Sequence, residues 1–337
     1  MALLEVEDLR TYFRTDEGFV RAVDGVDFEV ERGETLGIVG ESGAGKSVAV
    51  RSILGLIRDP GRIVSGSVRF DGRELTELSE TELRQQVRGT DISIVFQDAL
   101  SALDPVHTVG SQIAEIVAHH RDVSGEAAWH RAVELLDDVG IPDPGERASQ
   151  YPHEFSGGMQ QRALIAMALS CNPKLIVADE PTTALDVTIQ AKILDLFRDI
   201  QETYDTSIVY VSHDLGVVRE VCDRVAVMYL GKVVESAPYD ELYRNPKHPY
   251  TQALFRSILT TERSVEELDP IEGTMPSAAN PPSGCRFRTR CPRAFEDCRR
   301  VDPERLEVGQ DHDAACLLYE DGIERAEPVI HERGDDR

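Results

Sequence analysis

The octapeptide Gly40-Glu41-Ser42-Gly43-Ala44-Gly45-Lys46-Ser47 constrains this chain more than any other stretch. It fits G-x-x-x-x-G-K-[ST], a loop that binds phosphates. It follows Thr35–Val39, which reads as a buried strand, and leads into Val48–Leu54, which reads as a helix. Glycines let successive backbone N–H groups turn inward around an anion, and the helix start adds its positive end. Lys46 is then placed to reach the β- and γ-phosphates, and the Ser47 hydroxyl to meet Mg²⁺. A chance glycine-rich turn would lack those flanks. The expected fold is therefore α/β, around a nucleoside-triphosphate site.

Other strand ends add chemistry. Leu175–Ala178 is an apolar run closing on Asp179 and Glu180. A buried parallel strand delivering Asp to its C-terminal edge suits Mg²⁺ binding beside phosphates, and the adjoining Glu180 suits activation of water. Ser207–Ser212 is a second buried run, ending on His213, within reach of a γ-phosphate. Ile92–Phe96 is a third and ends on Gln97, which means little in isolation. Phe155-Ser156-Gly157-Gly158-Met159-Gln160 opens a helix expected over Gln160–Ser170, with Ser156 as N-cap and two glycines exposing N–H groups. That is a second anion-binding device, far in sequence from the first.

The remaining segments frame these sites. Residues 1–39 read as short antiparallel strands, Leu3–Val6, Val20–Val23 and Val26–Val30, that form a platform for the base. Phe13, with Tyr12 in reserve, is the candidate to stack on adenine. A capping box at Ser79 and Glu82 starts a polar helix through Arg88. Residues 100–154 are mostly helical by periodicity, and His119, His120 and His130 read as solvated helix residues. Val225–Val234 reads as a closing hairpin.

Composition sets limits. The 337 residues suit one large domain and a smaller one, or two of ordinary size, and no run approaches the ~18 apolar residues of a membrane span. The first eight residues lack a secretory pattern, which points to the cytoplasm. A formal charge of −25 argues against wholesale binding to nucleic acid or anionic lipid. Only five of the 36 basic residues are lysines. This acidic, lysine-poor surface suggests a salt-loving source, or simply a GC-rich genome.

Taken together, the motifs resemble the nucleotide-binding subunit of an ABC transporter over about residues 3–260. Gly40–Ser47 matches the family's Walker A loop, Gln97 its Q-loop and Phe155–Gln160 its signature. Leu175–Glu180 matches Walker B, Ala184-Leu185-Asp186 the D-loop and His213 the H-loop. The resemblance implies an ABC-type P-loop NTPase, with a mixed sheet core, an antiparallel β subdomain and a helical subdomain at about 98–160. It further implies head-to-tail pairing, each ATP lying between one subunit's phosphate loop and the other's Ser156 and Gly158. Glu180 is then the general base, His213 touches the γ-phosphate, and Gln97 and Asp179 attend Mg²⁺ and water. Phe155 and Met159 depart from the general L-S-G-G-Q signature in the manner of the peptide-importer branch. The segment after Gln97 is the expected coupling surface. Implied partners are a second ABC ATPase subunit (a homologous heterodimer), two transmembrane permeases and an extracellular substrate-binding protein. The implied location is the cytoplasmic face of the cell membrane. Too few residues separate Lys46 from the signature for the coiled coil of chromosome-type ABC ATPases, and one cassette does not make a translation factor.

Beyond the 1–240 ATPase domain, an extension over 241–319 holds Cys285, Cys291, Cys298 and Cys316, spaced C-x5-C-x6-C-x17-C. Thiols clustered in a cytoplasmic protein suggest a metal rather than disulfides. The spacing lacks the short pairs typical of zinc and suits an iron–sulfur cluster better. His248-Pro249-Tyr250 and Gly284–Cys298 resemble the tail of oligopeptide, dipeptide and nickel importer ATPases, some of which carry a [4Fe–4S] cluster. Zinc and unliganded thiols stay open as alternatives. A structural role follows from the expectation that so small and polar an extension buries little apolar surface. Cys171 and Cys222 read as core residues, and 320–337 as a mobile acidic tail. Di- or oligopeptides are the expected cargo, with nickel or another small solute as the alternative.

Overall fold

The computed structural model describes residues 2–16, 18–97, 102–183, 185–259 and 271–320. Its centre is a mixed eight-stranded sheet. In chain order the strands are β1 (Leu4–Thr15), β2 (Gly18–Val30), β3 (Thr35–Val39), β4 (Gly61–Phe70), β5 (Arg73–Glu74) and β6 (Ile92–Val95). There follow β7 (Leu175–Asp179), β8 (Ser207–Ser212), β9 (Arg224–Tyr229), β10 (Lys232–Pro238), β11 (Leu306–Gly309) and β12 (His312–Ala314). The central sheet runs β11-β12-β10-β9-β3-β8-β7-β6. Neighbours from β9 to β6 pair in parallel, while β10, β12 and β11 join antiparallel. A separate antiparallel sheet runs β2-β1-β4-β5.

The parallel strands are apolar because both of their faces are covered. Alternate residues of one strand enter different cores: Ile176 and Ala178 join one cluster, Leu175 and Val177 the other. The same period of two divides Ile208 and Tyr210 from Val209 and Val211. Each such side chain is 1% exposed or less and contributes roughly 1.5–3 kcal/mol when of Val, Leu or Ile size. The N-terminal strands are longer than expected, twelve and thirteen residues, with register shifts between Val6 and Leu9 and again near Thr11. Asp8, at φ 44°, sits in the first of these shifts.

Among the described residues between Gln97 and β7, the long helices are Val109–His120, Gly125–Asp138 and Gly157–Leu169, with a short one at Pro144–Arg147. Thr108, Ser124 and Ser156 cap the three long ones through side-chain oxygens. The third begins three residues earlier than the sequence suggested, because Ser156 caps it directly. The capping box at Ser79 and Glu82 is present, but it opens only Glu80–Glu82 before a π turn over Leu83–Val87. Cys222 is buried, whereas Cys171 is half-buried.

The C-terminal extension is more deeply integrated than its polarity suggested. Strand β12 pairs with β10, so the extension completes the central sheet. Tyr250, Phe287 and Leu317 are at most 2% exposed, which corrects the expectation of little apolar burial. One buried carboxylate makes three hydrogen bonds across the join. Glu235, wholly buried in β10, accepts the backbone N–H groups of Lys247 and His248 and bonds His312 Nε2 at 2.7 Å. Residues 321–337, read as a mobile tail, lie outside the described residues.

Candidate nucleotide site

Strands β3, β8, β7 and β6 are consecutive in the sheet and parallel. Their C-terminal ends therefore share one edge, where the phosphate loop, His213, Asp179–Glu180 and Gln97 emerge side by side. Ligands of open α/β sheets bind at this edge.

The loop is held open by its glycines. Gly40 has φ 153° and Gly45 φ 102°, and a Cβ on either would come within 2.2 Å of a backbone carbonyl oxygen, of Met228 and Ala22 respectively. Ala44, fully buried, accepts from the Gly231 N–H at 2.7 Å, which ties the loop to the β9–β10 hairpin. Ser42 and Gly43 complete the turn. Lys46 starts the helix Lys46–Ile53 and is 5% exposed. Its Nζ donates to the Gly40 and Glu41 carbonyls at 2.8 and 3.3 Å and lies 3.7 Å from Glu180 Oε1. Burial pulls this ammonium below its ordinary pKa, even with Glu180 and Asp179 opposing. A buried cation bonded mainly to carbonyls is poised for an anion.

Around it the predicted residues converge. Ser47 donates to Asp179 Oδ1 at 2.7 Å, and Arg51 donates to Oδ2 at 3.1 Å. Glu180 Oε2 receives Gln97 Nε2 at 3.3 Å, Thr183 Oγ1 at 3.0 Å, and faces His213 Nδ1 at 3.2 Å. Glu180 sits at φ 51°, a conformation that costs a non-glycine residue ~1–3 kcal/mol and aims its carboxylate into this group. A hydroxyl beside a fully buried carboxylate is an oxygen donor set of the kind Mg²⁺ takes, so Ser47 and Asp179 fit that ion.

Other expected residues lie elsewhere. Phe13 packs against Gly61, where an added Cβ would meet its ring at 2.5 Å, in a hollow shared with Val48, Arg51 and Phe96. Tyr12 donates its hydroxyl to Asp24 and lies beneath the Arg21 guanidinium, 5.9 Å from its ring centre. Phe155 is buried, Ser156 accepts the Met159 N–H, and Gln160 donates to the Pro152 and Phe155 carbonyls. Gly157 is exposed. A Cβ on Gly158 would meet Ile189 at 2.8 Å. Asp186 caps Val187–Tyr204 by accepting the Ile189 N–H, while Ala184 lies outside the described residues.

Three of the four clustered cysteines feel their thiol neighbours. Burial, then neighbouring thiols, push Cys285 and Cys291 up to about 12 and Cys316 to about 11. Cys298 moves the same way and accepts the Cys285 N–H through its carbonyl. Among the described residues, however, no three His, Cys, Asp or Glu side chains are grouped to hold one metal ion.

Sequence reasoning missed Arg51, which carries no motif, and the tail residues Tyr250, Arg286 and Arg290. Arg290 pairs with Glu41 across 249 positions, a distance no local pattern bridges.

A loop, a carboxylate pair, a glutamine and a histidine on one sheet edge define an ATP-binding cassette. The ABC transporter family model matches residues 23–183, and the model for the oligopeptide/dipeptide transporter C-terminal region matches 234–298. The chain is 50% identical to the oligopeptide transport ATP-binding protein OppD of Bacillus subtilis, over 97% of this chain and 91% of that protein. It is 47% identical to the dipeptide transport ATP-binding protein DppD of the same organism, over 96% and 97%. Among solved structures, the ATP-binding cassette MJ0796, a dimer bound to ADP and Pi, matches at a TM-score of 0.63 and 29% identity, covering 70% of this chain and 98% of that one. The chain belongs to the ABC transporter family, within the branch of oligopeptide and dipeptide ATP-binding proteins.

Proposed function

We propose that the chain is the ATP-hydrolysing subunit that energises a di- or oligopeptide ABC importer. The observation that carries this reading is the convergence of Lys46, Ser47, Asp179, Gln97 and His213 around Glu180. Lys46 and the loop amides bind the β- and γ-phosphates, and Ser47 and Asp179 hold Mg²⁺, with Gln97 beside them. The ion, when bound, neutralises charge developing on the phosphates. Glu180 Oε2 accepts a proton from the attacking water, and His213 and Gln97 orient that carboxylate. Phe13 is the proposed adenine neighbour, with Tyr12 in reserve. Ser156, Gly157 and Gly158 reach the ATP of a second cassette, and Asp186 lies along the same junction.

The partners in this reading are a homologous second ATPase, two permeases and a substrate-binding protein, which place the subunit at the cytoplasmic face of the membrane. Among the described residues no helix is long and apolar enough to cross a bilayer, so the permeases supply the spans. Nickel or another small solute is the alternative cargo. In the assembled transporter, Lys46→Ala is expected to abolish both ATP turnover and peptide uptake into vesicles. Unchanged uptake would refute the assignment.

In this reading residues 1–240, with a helical part at 98–160, are the ATPase unit, and 241–319 are the C-terminal extension. For Cys285, Cys291, Cys298 and Cys316 the proposal is a thiol site that takes a [4Fe–4S] cluster, or zinc. It is supported by the clustering of these thiols, three of which (Cys285, Cys291 and Cys316) are raised in part by thiol neighbours, although the four do not form a ligand set, and no step of the ATP cycle depends on it. Anaerobic purification followed by iron, sulfide and zinc analysis decides it, and none of the three bound would remove it.

A further inference from the structure

The phosphate loop has a second set of partners, all from beyond residue 249. Arg290 Nη1 donates to both carboxylate oxygens of Glu41, at 3.0 and 3.1 Å, and its side chain is 4% exposed. The other donors of that guanidinium go to the carbonyls of Glu272 at 2.9 Å and Ile271 at 3.3 Å. The group also lies over Tyr229, 5.9 Å from the ring centre. Tyr250, fully buried, accepts the Glu41 backbone N–H at 2.9 Å through its hydroxyl. Its ring packs on Tyr229 and Phe287 at 4.7 and 5.4 Å between centroids. Met275 Sδ stands 3.8 Å from where a Cβ on Gly43 would be. The same segment is anchored on both flanks: Arg286 binds Asp24 and the Leu230 carbonyl, and the Ala278 carbonyl accepts from the Arg21 N–H at 2.9 Å.

Glu41 is a carboxylate in the second position of an anion-binding loop. Unpaired, it would repel the triphosphate and leave the loop's entry free to move. The geometry points to Arg290 and Tyr250 as positioning residues for the phosphate loop, through which the C-terminal extension sets nucleotide affinity. Arg290 fixes and neutralises the Glu41 side chain, and Tyr250 fixes its backbone. Burial opposes the Arg290 charge, but Glu41 and Tyr229 outweigh it and hold the guanidinium above its ordinary value. An Arg fork satisfied by one carboxylate and two carbonyls is not replaceable by Lys, which offers a point charge. The inference rests on the reading of this loop as the ATP site.

The test is a titration of the full-length chain with N-methylanthraniloyl-ATP and Mg²⁺, alongside thermal melting. Arg290→Gln is expected to weaken binding roughly 5- to 50-fold, in the range of site-to-site coupling. The analogous ADP probe should lose the same factor, because the contact is to the loop and not to the γ-phosphate. Adding Glu41→Gln to Arg290→Gln should recover most of the loss, since the unpaired charge is then gone. Tyr250→Phe should weaken binding by a smaller factor, and Arg300→Gln, which breaks only an exposed pair with Glu296, should change nothing. Wild-type affinity in both Arg290→Gln and Tyr250→Phe would overturn the inference. So would a loss in Arg290→Gln that tracks its melting temperature and that Glu41→Gln does not relieve. Failure of the wild-type chain to bind either probe would instead overturn the ATP-site reading itself.

Discussion

Ser47 and Asp179, 132 positions apart, share a 2.7 Å hydrogen bond that joins the loop after β3 to the end of β7, two strands away. The second oxygen of that buried carboxylate is taken by Arg51 at 3.1 Å. A guanidinium thus stands on one side of the donor pair proposed for Mg²⁺, and cation and guanidinium compete for the same charge.

From this competition, Arg51→Ala is expected to lower the Mg²⁺ concentration needed for half-maximal nucleotide binding. Arg51 is 43% exposed, so the effect is that of a partly screened pair, ~0.2–1 kcal/mol, or roughly 1.4- to five-fold. Binding measured against Mg²⁺ at fixed ATP checks it, and an unchanged or higher requirement counts against the competition.

Glu180→Gln separates binding from chemistry. The amide keeps the shape that Gln97, Thr183 and His213 surround but cannot take a proton. Hydrolysis by the assembled transporter should fall by about 10²–10⁴, the usual share of a general base. Binding should persist, because Lys46 and the loop remain. Phosphate release and nucleotide retention on one preparation distinguish the two effects.

His248 contributes to the pH dependence of folding. Burial lowers its pKa to about 4, with Glu235 opposing, against an ordinary 6.5. Between those values the unfolded chain binds the extra proton, so stability is full above about 6.5 and declines as pH falls toward 4. The loss by pH 5 is on the order of 1–2 kcal/mol. Wild type should therefore lose more thermal stability between pH 7.5 and 5 than His248→Gln does. An equal slope in both would remove His248 as the cause.

The net charge of −25 makes salt the remaining variable. If the acidic surface is adapted to high ionic strength, the midpoint of urea unfolding should rise steadily from dilute buffer to molar KCl as repulsion is screened. A midpoint already maximal in dilute buffer would leave the arginine bias to base composition alone.

The parts of this molecule that announce themselves in sequence are those where the backbone must do something special next to an apolar strand. Gly40 and Gly45 are needed where any Cβ would strike a carbonyl, and β3, β7 and β8 are legible because both of their faces are buried. The residues at the ends of these strands are legible for the same reason. Strands β1 and β2 were read only in pieces, since Glu5, Arg10 and Arg21 interrupt the pattern and bulges shift its phase. Strands β11 and β12 have no sequence signal: they are only four and three residues long, and β12 is tied to β10 by the buried Glu235–His312 bond. The two aromatic candidates show the limit of proximity in sequence. Phe13 and Tyr12 are neighbours, yet one ring meets Gly61 and the other Asp24.

Strand β12 covers the flank of β10 that β9 leaves bare, and the four-residue β11 beyond it ends the sheet. Proteolysis in the stretch after Arg244 that released this cover would uncover a ladder of unmet amides and carbonyls along β10, a template for any passing chain. The importer subunit therefore cannot be trimmed back to a minimal cassette without inviting aggregation.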